Sequence, residues 1–174
     1  DVYKRQIILS ATTVFASGIG FVKAYDKIAD ETREEINVGT EGDIKDQKAK
    51  YRMYDKTRIK KCMIKNERLK ENDGKPFTWK IKPKERIETK EGHLKKGTCV
   101  QVAACMGFEE EHPETHIAIG IIDEDGEETY IENGVNLVSH LKVKKDGRYR
   151  VFLENLGAKK AIAGGHYMVI TEEE

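Results

Sequence analysis

VKKDGRYRVFLEN, residues 143–155, is the stretch that decides the fold class of this 174-residue chain. Tyr149, Val151 and Leu153 alternate with Arg148, Arg150 and Glu154. Successive side chains of a strand point to opposite faces, so the alternation predicts a half-buried strand. Lys145-Asp146-Gly147 before it reads as a turn, and Asn155-Leu156-Gly157 after it breaks the pattern.

The same signature recurs on both sides. Phe77, Trp79 and Ile81 alternate with Thr78, Lys80 and Lys82, after the turn Asn72-Asp73-Gly74-Lys75-Pro76 and before Pro83. Cys99 to Met106 is apolar nearly throughout, as expected of a central strand covered on both faces. His116 to Asp123 alternates through Ile117, Ile119 and Ile121, and Asp125-Gly126 turns it into Thr129-Tyr130-Ile131. Leu141 and Val143 suggest a short strand, and Ile162 to Ile170 the last one. Gly164-Gly165 within it marks a bulge or a close backbone approach. A further strand near Arg58 to Ile64 is plausible, with an amphipathic helix as the alternative.

About eight short strands at regular spacing predict an all-β domain over residues 51–174, an antiparallel β-sandwich or jelly roll. Residues 25–50 are polar and read as a linker, with a helical turn expected at 29–35. Residues 7–24 are apolar, with Lys23 as their one ionisable group. They read as the hydrophobic helix of a signal peptide or as a membrane anchor, with a buried core helix as the third option. The six residues before them, DVYKRQ, back-translate to the transposon end of a sequencing library. They are expected to be translated adapter, with the native start lying upstream.

Composition bounds the function classes. The chain is 38% hydrophobic and 36% charged, enough for one modest core and too apolar for wholesale disorder. Lysine plus arginine equals aspartate plus glutamate, 31 of each, which argues against a dedicated nucleic-acid binder. The charges are segregated, however. Lys45 to Lys70 holds eleven Lys/Arg against three acids, whereas Gly97 to Leu141 holds ten Asp/Glu and no Lys or Arg. Two surfaces that face each other within the fold would explain this. So would a basic patch for a cell-wall polymer, an anionic surface or a protein partner.

Residues 95–170 resemble the secreted pre-peptidase C-terminal sandwiches of bacteria. The motif that carries the resemblance is V-x-x-x-G-x-Y-x-V-x-L-x-N, here Val143 to Asn155, followed by Gly165-His166-Tyr167. It implies an exported accessory or binding module without catalytic residues. The apolar segment followed by Ala24-Tyr25-Asp26 also resembles the extracytoplasmic tail of BlaR-type antirepressor metallopeptidases, which implies a fragment of a larger membrane metallopeptidase or sensor. That family's His-Glu-x-x-His motif does not occur in this sequence. A structural or assembly protein using a sheet edge is the third class considered.

Individual residues offer little chemistry. Among the five histidines, His112 and His116 have the i, i+4 spacing of a zinc helix, but Pro113 between them makes the segment a loop. Asp123, Asp125 and Glu127, with Glu128, are the candidate calcium ligands, although EF-hand spacing fails and an Asp-Gly hairpin needs no ion. No other cofactor is expected. Three reduced thiols acting as small apolar residues are the expected state, the alternative being a disulfide from Cys62 to Cys99 or Cys105 after export. Cys99 and Cys105, six residues apart on one strand, cannot bond each other. Trp79 is the candidate for stacking a sugar, against the alternative that it is core.

Overall fold

The computed structural model describes residues 47–69, 76–106, 116–133 and 136–170. Eleven strands occur among them, in the order β1 (Lys50–Met53), β2 (Lys61–Arg68), β3 (Phe77–Ile81), β4 (Glu85–Lys90), β5 (Gly92–Leu94) and β6 (Cys99–Met106). These are followed by β7 (Ile117–Asp123), β8 (Glu127–Asn133), β9 (Asn136–Lys142), β10 (Gly147–Asn155) and β11 (Ala161–Ile170). The seven-stranded sheet has the order β1-β8-β7-β10-β4-β2, with β5 also pairing β10, and the four-stranded sheet has the order β3-β11-β6-β9. The all-β expectation holds, and the two sheets pack as a sandwich. The expected N-terminal helix and adapter lie outside the described residues, as does most of the expected linker.

Three expectations are corrected. Strands number eleven among the described residues, not about eight. The arrangement is not wholly antiparallel, because β2 runs parallel to β4 at the sheet edge. The linker ends before residue 50: the Gln47 amide donates to Val138 O at 2.9 Å, and Lys50 already opens β1.

The inner faces meet in a core that includes Trp79, Ile87, Val102, Ile119, Ile121, Leu137, Val151, Leu153 and Tyr167. Each is buried because the period-two pattern turns it inward, and each such aliphatic or aromatic side chain contributes about 1.5–3 kcal/mol. Ladder register places Val151 opposite Ile121 and Leu153 opposite both Ile119 and Ile87, so inner residues stack in rows across β7, β10 and β4. Two glycines matter to this packing. A Cβ on Gly165 would stand 2.0 Å from Ala103 O, so the expected close backbone approach is real and lies between β11 and β6. Gly126 closes the β7–β8 hairpin at φ +87, a left-handed conformation that suits glycine.

Candidate functional site

Alternation should leave the outer face of the larger sheet in water, yet Arg86, Glu88, Glu128, Phe152 and Glu154 on that face are buried. What covers them is the β1–β2 connection. β1 and β2 lie at opposite edges of the sheet, so residues 54–60 must cross its outer face as a strap. The Tyr54 amide donates to Gly126 O at 2.8 Å and the Lys60 amide to Lys84 O at 2.8 Å, which fixes the strap at both ends. Asp55 Oδ1 accepts from the amide and the hydroxyl of Thr57, which tightens the turn between them and holds the Asp55 carboxyl below its usual range.

Beneath the strap lies the densest convergence of ionisable groups among the described residues. Arg86 Nη1 donates to Glu128 Oε1 at 2.5 Å and stands 3.4 Å from Glu154 Oε2. Arg52 reaches Glu128 through Nε and Glu154 through Nη2 at 2.7 Å, and Arg58 Nε donates to Glu154 Oε1 at 2.8 Å. On the other side of Arg86, Nε stands 2.9 Å from Glu88 Oε1, off the N–H direction, while Glu88 Oε2 pairs with Arg150 at 2.8 Å. Two arginines also lie over aromatic rings, Arg86 at 3.8 Å from the Phe152 centroid and Arg52 at 4.1 Å from that of Tyr130. Ala118, Ile122, Tyr130 and Phe152 form a second, small apolar cluster around them, with Tyr54 packed against it.

Chemically this assembly resembles a catalytic constellation, but Arg86, Glu128 and Glu154 have no exposed side-chain surface. Each charge is matched by at least one opposite charge, as burial requires. The arrangement therefore anchors the strap. It also brings the segregated charges of the sequence together: Arg52 and Arg58 of the basic stretch grip Glu128 of the acidic one, and Lys50 pairs with Glu132.

The residues singled out by sequence fall elsewhere. Trp79 is 4% exposed and stacks on Phe77 with centroids 3.9 Å apart, so it is core and has no free face for a sugar. Asp123 Oδ1 accepts from the amides of Asp125 and Glu127, and Lys145 Nζ bridges Asp123, at 3.0 Å, and Asp125. Those two carboxylates hold the lysine ammonium above its usual range, and Lys145 supplies the positive charge that a calcium ion would bring. Glu127 is exposed, and Glu128 turns away into the arginine cluster. Among the described residues no three His, Cys, Asp or Glu side chains converge on a metal position.

Cys62 and Cys99 lie on different sheets and neither is in a disulfide. Desolvation, reinforced by the neighbouring Glu88 carboxylate, pushes the Cys62 thiol up to about 11. Cys105 sits between Gly164 and Asn136 in the ladder of the smaller sheet. His116 lies at the start of β7, 3.9 Å from Glu132, and His112 lies outside the described residues. An open cleft of about 490 Å³ is lined by Ile64 and Arg68 of β2, by Thr89, Lys90 and Glu91, and by Arg150 of β10.

Sequence reading missed Arg86 and Glu88 and placed Glu154 on the solvent side of its strand. The available signal was the use of arginine, which forms bidentate and ring-stacked contacts that lysine does not.

No protein-family model and no curated protein sequence matches the chain. Solved structures similar to it include the pre-peptidase C-terminal domain of a collagenase from Bacillus anthracis, at 7% identity and a TM-score of 0.43, covering 59% of this chain and 94% of that one. A periplasmic inhibitor of g-type lysozyme from Aeromonas hydrophila is similar at 9% identity and a TM-score of 0.36, over 63% of this chain and 99% of that one. A mitogen derived from Yersinia pseudotuberculosis is similar at 11% identity and a TM-score of 0.39, over 57% of this chain and 87% of that one. The likeness is one of strand framework only.

Proposed function

We propose that the chain is an exported, non-catalytic β-sandwich module that binds a component of a bacterial envelope. One observation carries this reading. Arg86, Glu128 and Glu154, the buried heart of the charged constellation, lie under the strap with every charge paired, so their chemistry is spent on holding the fold. Lysines outside that constellation stay at the surface, where they act by contact rather than by reaction. Export is supported by the apolar segment 7–24.

The test is co-sedimentation of the purified chain with isolated bacterial envelopes, with the supernatant assayed for released sugar, peptide and phosphate. Sedimentation without release is the expected result. Heat-labile release of soluble fragments would show turnover and overturn the reading, and so would failure to sediment.

A further inference from the structure

At the end of the sandwich where β2 and β4 begin and β3 and β10 finish, segments far apart in sequence bring lysines together. The Lys60 amide donates to Lys84 O at 2.8 Å, and the Lys84 amide donates to Asn155 O at 3.0 Å. The register of β3 with β11 sets Ile81 opposite Ala161, which places Lys82 and Lys160 side by side just beyond the ladder. Lys61 opens β2 directly beside Glu85, the next residue after Lys84.

Lys60, Lys61, Lys82, Lys84 and Lys160 are all exposed, and among the described residues none of their ammonium groups is in an ion pair. The nearby Glu85 carboxylate is committed to backbone: its Oε2 accepts from the Lys82 amide at 3.1 Å.

A second observation is independent of charge. Lys84 has φ 61 and is the one non-glycine residue with positive φ among the described residues. Glycine, asparagine or aspartate would take that conformation at lower cost. A lysine there keeps a cation at the centre of the group at the expense of backbone strain, and such strain points to a role outside folding.

We propose that this lysine-rich end is a docking site for a linear, phosphate-bearing polyanion. The proposal rests on the binding-module reading above and names its partner chemistry. Ammonium groups are compact point charges without arginine's planar fork, so they suit the diffuse, repeating charge of a phosphodiester chain rather than a single oriented carboxylate. The exposed large hydrophobics of the described residues are Tyr51, Met53 and Ile64, and none belongs to this end. It therefore presents neither an apolar wedge for a bilayer nor a ring on which bases would stack.

The experiment titrates the purified full chain with long-chain inorganic polyphosphate, with poly-glutamate and phosphatidylserine vesicles as comparators. If five phosphate contacts release counterions as on a single strand, affinity falls about 100-fold between 50 and 200 mM salt. Replacing Lys60, Lys61, Lys82, Lys84 and Lys160 together by glutamine is expected to weaken polyphosphate binding at least about tenfold. Lys84→Gly alone is expected to weaken binding while leaving the melting temperature equal or higher. That pairing separates a docking residue from a structural one.

Undiminished polyphosphate binding by the five-site variant overturns the proposal. Tighter binding to poly-glutamate or to the vesicles also overturns it, because the partner is then of another class. If neither wild type nor variant sediments with envelopes, the binding-module reading fails independently of the polyphosphate result.

Discussion

The seven-stranded sheet buries both of its faces, and it does so by opposite chemistry. Leu153 and Phe152 are neighbours in β10, and neither has any exposed surface. Leu153 points inward among Ile87, Ile119 and other aliphatics, where burial needs only close packing. Phe152 points outward beneath the Arg86 guanidinium, in a layer where arginines and glutamates outnumber apolar residues. The first layer resists change through volume and the second through charge balance. An apolar layer tolerates a swap that conserves size, whereas a buried ionic layer tolerates only changes that remove opposite charges together.

The sharpest way to break this contrast is Arg86→Met. The substitution keeps most of the side-chain volume but leaves Glu128 and Glu154 with fewer cations in a sealed site. It is expected to cost about 3–5 kcal/mol, read as a fall in the urea midpoint at constant m-value. The double replacement Arg86→Met, Glu128→Leu removes a buried cation and a buried anion together and leaves Glu154 paired with Arg52 and Arg58, so it is expected to recover part of that loss despite carrying more changes. A double variant less stable than the single one would show that volume, not charge balance, governs this layer.

Phe152→Leu comes next. It exchanges an aromatic for an aliphatic of moderately smaller size and removes the ring beneath Arg86. The expected cost is about 1–2 kcal/mol beyond that of a comparable inner-face swap such as Leu153→Met. Equal costs for the two swaps would mean that the ring contributes packing alone.

The difference between the layers also explains what the sequence made legible. β3 and β6 occupy the spans that patterning predicts, because Phe77, Trp79 and Ile81, and the apolar run from Cys99, obey rules that need no knowledge of tertiary contacts. β4 was not anticipated. Its sequence ERIETK carries a charge at every second position, and nothing local says that Arg86 and Glu88 will meet partners more than forty residues away in β8 and β10. β2 reads as an ambiguous basic segment because its place beside β4, and its parallel direction, follow from the strap crossing the sheet. β9 is longer than Leu141 and Val143 suggest, since Ser139 and His140 interrupt the apolar pattern while their backbone continues the ladder with β6. The candidate site shows the same limit. Trp79 and the Asp-Gly hairpin stood out locally, but the constellation of most chemical interest is built wholly from long-range pairs.

A smaller effect tests whether acid sensitivity belongs to the ionic layer. His166, on the four-stranded sheet, is 3% exposed, and burial holds its imidazole below the usual 6.5. The unfolded chain therefore binds that proton more readily than the folded one. The stability contributed by neutral His166 is complete above about pH 6.5 and is lost as pH falls through the folded value, with a slope of at most about 1.4 kcal/mol per pH unit. His166→Gln is expected to flatten the stability profile in that window. A profile that keeps its slope in this variant would move the sensitivity to other groups.

The smallest effect concerns reactivity alone, at the rim of the ionic layer. Cys62 is exposed on the edge strand β2, which would ordinarily make it the thiol that alkylates first. With its ionisation pushed up to about 11 by desolvation and by Glu88, only on the order of 0.1% is thiolate at pH 8, against roughly a quarter for an ordinary cysteine. Iodoacetamide at pH 8 is therefore expected to label Cys62 on the order of a hundred times more slowly than a cysteine in an unstructured peptide. Glu88→Gln removes the nearby carboxylate and should speed the labelling without changing the exposure of the sulfur. If labelling of the wild type is already fast, the field of the buried carboxylates does not reach the sheet edge, and the ionic layer ends at β4 rather than at β2.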